Sequence, residues 1–299
     1  MAYRSNHSPW AYPQSWVAGR RARPRFEDLR CYVMFIGQPR SGTSLLGSLL
    51  NAHRNMCIAQ ELDALKYLRR GYDRWQIFWL LLQRDRQFAA NGRSWTGYNY
   101  LVPNQWQGRA QKLQVIGDKK AGASTERLRE DPALLERLRK TIGLPVRMIH
   151  LIRDPFNVIS TMHLRKHLSL EQSAERFFRR AETNWQLIQS LEGAVCSLRL
   201  EDLIAQPNRY LRELCEFLGV DAPDDYIGDC ASILFARPRQ SKTLAAWPRQ
   251  LLAEVSRELR KYPFLSGYEY GGAMLNESTV AVDEGANGTF AVRQSPVGV

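Results

Sequence analysis

Residues 31–44 read CYVMFIGQPRSGTS. Cys31 to Ile36 is an unbroken apolar run of strand length and Gly37 to Gly42 a glycine-bounded turn. Leu45, Leu46, Leu49 and Leu50 then recur as the apolar face of a helix does. A strand that ends in a glycine turn and opens a helix aims backbone N–H groups and the helix dipole at an anion. Two glycines with four residues between them, followed by hydroxyl residues, match the spacing of a nucleotide phosphate loop. The lysine that such a loop carries at position 43 is replaced by Thr43, and a cation, Arg40, stands three residues earlier. This departure argues against a magnesium-bound triphosphate, whose β- and γ-phosphates rely on that lysine.

Four more strand-length runs follow: MCIAQ (56–60), LQVIGD (113–118), VRMIHLI (146–152) and AVCSLRL (194–200). Helical patterns cover 43–52, 62–90, 131–141, 155–166, 169–191, 207–218 and 249–261. Apolar strands alternating with helices predict an α/β, three-layer, P-loop-like fold with a central parallel sheet flanked by helices. Ligands of such sheets sit at the carboxyl ends of the strands, where the loop falls. One domain is expected over 30–271, with an extended basic arm at 1–29 and a flexible tail at 272–299 that lacks helical period. The segment 71–112 holds four of the eight tryptophans. It reads either as helices burying aromatic faces or as an insertion lining an acceptor pocket.

With 299 residues, 44% of them hydrophobic, the chain can bury a sizeable core. Its five cysteines are odd in number and contain no C-x-x-C pair, which argues against a disulfide framework and a zinc site. No run approaches the ~18 apolar residues of a membrane span, and the start MAYRSNHSPWAYPQSW lacks a signal core. A cytoplasmic protein without a resident metal is expected. The formal charge of +12 comes from scattered arginines more than from one long run, which favours small anionic ligands over nucleic acid.

A second signal lies in VRMIHLIRDPFNVISTMHLRK (146–166). A buried strand runs into Arg153-Asp154-Pro155, and proline suits the first position of a helix. Thr161 and Arg165 are four residues apart and share a helix face, with Ser160 one step round. Arginine at the strand end, a hydroxyl and a second arginine suit a terminal phosphate dianion.

Together the two segments resemble the sulfotransferases that use 3′-phosphoadenosine 5′-phosphosulfate (PAPS). That family's phosphosulfate loop is matched by Arg40-Ser41-Gly42-Thr43-Ser44, and its 3′-phosphate segment by Arg153-Asp154-Pro155 with Ser160 or Thr161. The variant is most similar to the protein-tyrosine sulfotransferase branch and its bacterial relatives, through Pro39 to Thr43, the NAH at 51–53, and Glu61. The resemblance implies metal-free transfer from PAPS to an acceptor hydroxyl on a small molecule, glycan or lipid, with adenosine 3′,5′-bisphosphate as product. Glu61 is implied as general base, Asp63 being the reserve and His53 a structural residue. Lys119, or Lys120 beside it, is implied to contact the leaving phosphate with Arg40. Pro39, Ser41, Gly42, Thr43, Ser44, Arg153, Arg165, Arg239 and Ser241 complete the implied donor site.

Two other classes remain open on the residues alone. A magnesium-dependent P-loop kinase or NTPase would use Asp154 as metal ligand. A non-catalytic basic module would bind nucleic acid without turnover.

Overall fold

The computed structural model describes residues 11–95, 97–235 and 239–271. Among these, the strands are β1 (Cys31–Gly37), β2 (Met56–Gln60), β3 (Ser94–Trp95), β4 (Tyr98–Asn99), β5 (Val115–Lys119), β6 (Val146–Ile152) and β7 (Val195–Arg199). Helices are α1 (Ala11–Arg21), α2 (Thr43–Ala52), α3 (Ala64–Arg69), α4 (Arg74–Ala90), α5 (Ala121–Glu130) and α6 (Ala133–Ile142). The chain continues through α7 (Pro155–Lys166), α8 (Leu170–Ser190), α9 (Leu200–Ala205), α10 (Pro207–Leu218), α11 (Asp224–Ser232) and α12 (Arg249–Leu259). These elements belong to a unit ending at Tyr268; a second unit, from Glu269, is described only at 269–271.

β3 and β4 form a small antiparallel hairpin, and the other five strands form one parallel sheet in the order β2-β5-β1-β6-β7. Because side chains alternate across a strand, β1 feeds two cores. Tyr32, Met34 and Ile36 pack with Leu65, Ile77, Phe78, Leu81 and Leu138 from α3, α4 and α6. Cys31, Val33 and Phe35 pack with Leu46, Leu49, Leu211, Leu214 and Tyr226 from α2, α10 and α11. The sheet is thereby covered on both faces. From β1 the chain moves outward on one side to β2 and β5, then crosses to β6 and β7 on the other. The switch between β1 and β6 opens the crevice in which ligands of such sheets bind, and both signature segments end there.

Several boundaries differ from the expectations. The expected extended arm folds over 11–26: α1 packs on α4, where Gln76 Nε2 donates to the Tyr12 carbonyl at 3.1 Å and to Ser15 Oγ at 3.0 Å. Tertiary packing overrides a segment that has little helical pattern of its own. The single helix expected over 62–90 is split, because Asp73 and Gln76 form a capping box that starts α4 afresh. The expected tail at 272–299 lies outside the described residues.

Candidate active site

The turn from β1 into α2 is left-handed twice, at Arg40 (φ 74°) and Gly42 (φ 88°). Gly42 caps α2 with left-handed backbone, and a Cβ there would stand 3.0 Å from the Leu200 side chain, so a larger residue would be strained and crowded. Thr43 and Ser44 open the helix beside the cavity. Ser41 does not face it: its hydroxyl is buried and donates to the Gln38 carbonyl at 3.0 Å, bracing the turn from inside. Gln38 Nε2 in turn donates to the Phe177 carbonyl at 2.7 Å, and the Gly37 N–H donates to Thr125 Oγ1 at 2.9 Å.

The turn after β2 carries Glu61. Glu61 and Asp63 both hold left-handed backbone, at φ 63° and 69°, a conformation that costs a non-glycine residue about 1–2 kcal/mol and persists only where contacts fix it. Those contacts are polar. The N–H groups of Leu62 and Ala64 donate to the buried Asp118 carboxylate at 3.0 and 2.8 Å. Asp63 accepts a two-point contact from Arg127 at 2.7 and 2.6 Å. Lys119, only 1% exposed, runs beneath α2 past Gly47, where a Cβ would stand 2.9 Å from its Cγ. Its Nζ donates to Ser44 Oγ at 2.9 Å and also to Glu61, and Lys120 donates to the other Glu61 oxygen. One lysine therefore joins the anion loop to the carboxylate turn. Burial acts to raise the Glu61 pKa, but Lys119 and Lys120 outweigh it and hold the carboxyl below its ordinary value. Burial pushes Asp118 up to about 6, against the N–H of Ala64 and with the neighbouring Glu61 and Asp63 charges adding to the rise.

At the end of β6, Arg153 donates to the Arg40 carbonyl at 2.9 Å and to the Arg239 carbonyl, while its buried Nε has no hydrogen-bond partner among the described residues. Asp154 caps α7, accepting from the N–H groups of Phe156 and Asn157 at 2.9 and 3.3 Å. Its second oxygen accepts from Asn157 Nδ2 at 3.0 Å and Lys242 Nζ at 2.9 Å, so the carboxylate is committed to the fold. Ser160 is fully buried and accepts from the Trp247 indole at 2.9 Å, whereas Thr161 lines the cavity. The roughly 100° that a helix turns per residue gives these neighbours different surroundings.

The cavity at the switch point has a volume of about 1090 Å³. Pro39, Arg40, Gly42, Thr43, Ser44, Glu61, Lys120, Arg153, Thr161, Arg165, Arg239 and Ser241 all line it. Ser41, Lys119 and Ser160 do not, Lys119 acting from just beneath. His53 is fully buried, accepting from the Asn55 N–H at 3.0 Å and lying 2.9 Å from the Asp221 carbonyl. Among the described residues of 71–112, Tyr98, Asn99 and Tyr100 alone reach the cavity, while Trp75 stacks on Phe26 elsewhere. Sequence reasoning missed Arg127 and Arg180, whose helical settings give no local signal, and Asp118, whose place at a strand end was visible. Among the described residues no group of three His, Cys, Asp or Glu could hold a metal ion, and no helix is long and apolar enough to cross a membrane.

A helix start with spare N–H groups, converging arginines and a lysine-flanked carboxylate, all at the switch point of a parallel sheet, define an α/β transferase site for an anionic group. The chain belongs to the sulfotransferase family, whose model matches residues 33–224, and family and fold together support an enzyme that transfers a sulfuryl group. The fold is similar to the sulfotransferase domain from the curacin biosynthetic pathway, at 17% identity over 79% of this chain and 98% of that one, TM-score 0.51. The sulfotransferase domain of the Synechococcus PCC 7002 olefin synthase gives 20% identity over 75% and 83%, TM-score 0.47. A mouse sulfotransferase complexed with PAP gives 11% identity over 80% and 87%, TM-score 0.43. No curated protein matches the chain.

Proposed function

We propose that the protein moves a sulfuryl group from PAPS to an acceptor hydroxyl without a metal, with Glu61 as general base. The observation that carries this reading is the Lys119 bridge: a single Nζ bonds both Ser44 of the anion loop and Glu61. The group being transferred and the group removing a proton would then meet across one buried cation. Arg153, whose buried Nε has no hydrogen-bond partner among the described residues, offers a donor for the 3′-phosphate, and Thr161, whose hydroxyl donates to the Asn157 carbonyl at 2.7 Å, lines the same cavity with Ser241. Leu200, Ile204, Ile233 and Phe235 supply an apolar wall near the loop for a purine ring.

Glu61 accepts the hydroxyl proton as the acceptor oxygen attacks sulfur. The sulfur–oxygen bond to the phosphate breaks with its electron pair leaving on adenosine 3′,5′-bisphosphate. Arg40, Lys119 and the α2 N–H groups stabilise the charge that develops there. The acceptor's hydroxyl belongs to a small molecule, glycan or lipid small enough to reach Glu61.

Calorimetric titration in EDTA tests the donor. Adenosine 3′,5′-bisphosphate should bind well above ADP, which lacks the 3′-phosphate, and tighter binding of magnesium-ATP would overturn the assignment. Glu61→Gln tests the base: turnover should fall by roughly 10²–10⁴-fold, with affinity for adenosine 3′,5′-bisphosphate retained.

A further inference from the structure

Two lines of contact leave the anion loop. One runs through Arg153 to Arg239 and the apolar wall. The other runs from Glu61 through Asp63 and Arg127 into α5, then from Glu126 to Arg180 of α8. Along the second, positive charge exceeds what the fold neutralises. Arg180 is 8% exposed and lines the cavity. Its carboxylate partner, Glu126, is shared with Arg129 at 3.0 Å and Arg179 at 3.7 Å, so one anion is divided among three guanidinium groups. Arg180 Nε lies 2.9 Å from Glu126 Oε1 but is not aimed at it, and neither atom has a hydrogen-bond partner among the described residues.

Lys166, at the exposed end of α7, lines the same cavity. Burial and then the charges of Arg180, Arg176 and Arg40 lower its pKa, and none of these influences is an anion. Arg127 differs, being matched by Asp63. Like charges gathered at a cleft raise its free energy until an anion enters, and they draw such an anion in.

We infer that the acceptor is itself anionic, carrying a carboxylate, sulfate or phosphate besides the hydroxyl, and that Lys166 and Arg180 hold this group in the cavity that Glu61 also lines. The inference rests on the sulfuryl-transfer reading of the same cavity. A neutral alcohol or phenol would leave Lys166 and the shared Arg180 without an added counter-charge in the cavity; an anionic acceptor pairs with both and fixes its hydroxyl relative to the base.

The test uses the full chain saturated with adenosine 3′,5′-bisphosphate and titrated with inorganic phosphate, inorganic sulfate or acetate, followed by calorimetry and by amide shifts in α7 and α8. One further anion should bind, and Lys166→Met and Arg180→Met should each weaken it by about tenfold or more while nucleotide affinity stays within about twofold. The tightest of the three probes identifies the chemistry of the group. Lys166 is exposed, so its variant keeps the test decisive if the Arg180 variant does not fold. Nucleotide binding with no second anion, or with a second anion indifferent to Lys166→Met, overturns the inference and leaves the sulfuryl-transfer reading in place. An equal loss of nucleotide affinity in Lys166→Met overturns it too, because the cations would then serve the donor. Failure of adenosine 3′,5′-bisphosphate to bind at all removes the donor reading, and this inference with it.

Discussion

The turns after β1 and β2 lie at the same end of one sheet, two strands apart, and are built by different means. The first is made of small groups: Gly42 takes a backbone that other residues resist, and Ser41 braces Gln38 three residues away. The second is made of charges brought from a distance. Its left-handed residues are held by Asp118 and Arg127, which lie between 54 and 64 residues further along the chain. A turn of the first kind can recognise an anion because its own N–H groups stay available. A turn of the second kind can hold a carboxylate ready because the surrounding charges fix where it points.

Removing the charge on Lys119 strikes both turns at once and should have the largest effect. Lys119→Met is expected to slow release of adenosine 3′,5′-bisphosphate from PAPS by roughly 10²–10³-fold, with a smaller loss of nucleotide affinity by calorimetry. If the rate changed only a few-fold, the two turns would be independent sites. Gly42→Ala attacks the first turn alone. It should cost about 1–2 kcal/mol of stability in urea titrations and weaken nucleotide binding, while the Glu61 turn keeps its contacts.

The second turn can be probed by pH, because Glu61 and the Asp118 carboxylate that braces the turn from β5 shift in opposite directions. Glu61 lies below its usual value of 4.5, so its share of stability is present above that pH and is lost as pH falls through its lowered folded value. Asp118 rises from 3.8 to about 6, so the folded state holds its proton more tightly, and stability from this group grows as pH falls from about 6 toward 3.8. Urea midpoints should therefore lose their rise between pH 6 and 4 in Asp118→Asn, and lose part of their fall below pH 4.5 in Glu61→Gln. The smallest effects separate neighbours on α7. Thr161→Ala should weaken adenosine 3′,5′-bisphosphate by a few-fold, and Ser160→Ala should leave that affinity alone while costing about 1 kcal/mol through loss of the hydrogen bond from the Trp247 indole.

The same contrast explains what was legible in the sequence. The first turn is a local pattern, and its strand, glycines and helix were found at the residues where they stand. The five sheet strands were legible for the same reason, each being an apolar run that alternates into two cores. Arg127 and Arg180 act through partners that only the assembled sheet and helices bring near, so nothing adjacent to them in sequence marks their roles, and of Asp118 only its place at a strand end was visible. Lys119 and Lys120 are equal in sequence and separate only in space, where Gly47 makes room for the first and the second turns to the cavity. Helix α1 escaped notice because its stability comes from α4 and not from its own pattern.

The double lysine grip on Glu61 has a kinetic consequence on the proposed assignment. Held by two ammonium groups, the carboxylate has little affinity for a proton and cannot ionise an alcohol by itself. An arriving phosphosulfate competes for the same ammonium groups and would strengthen the base by loosening them. The enzyme would therefore act only when the donor arrives first, and an acceptor that came early would leave unchanged.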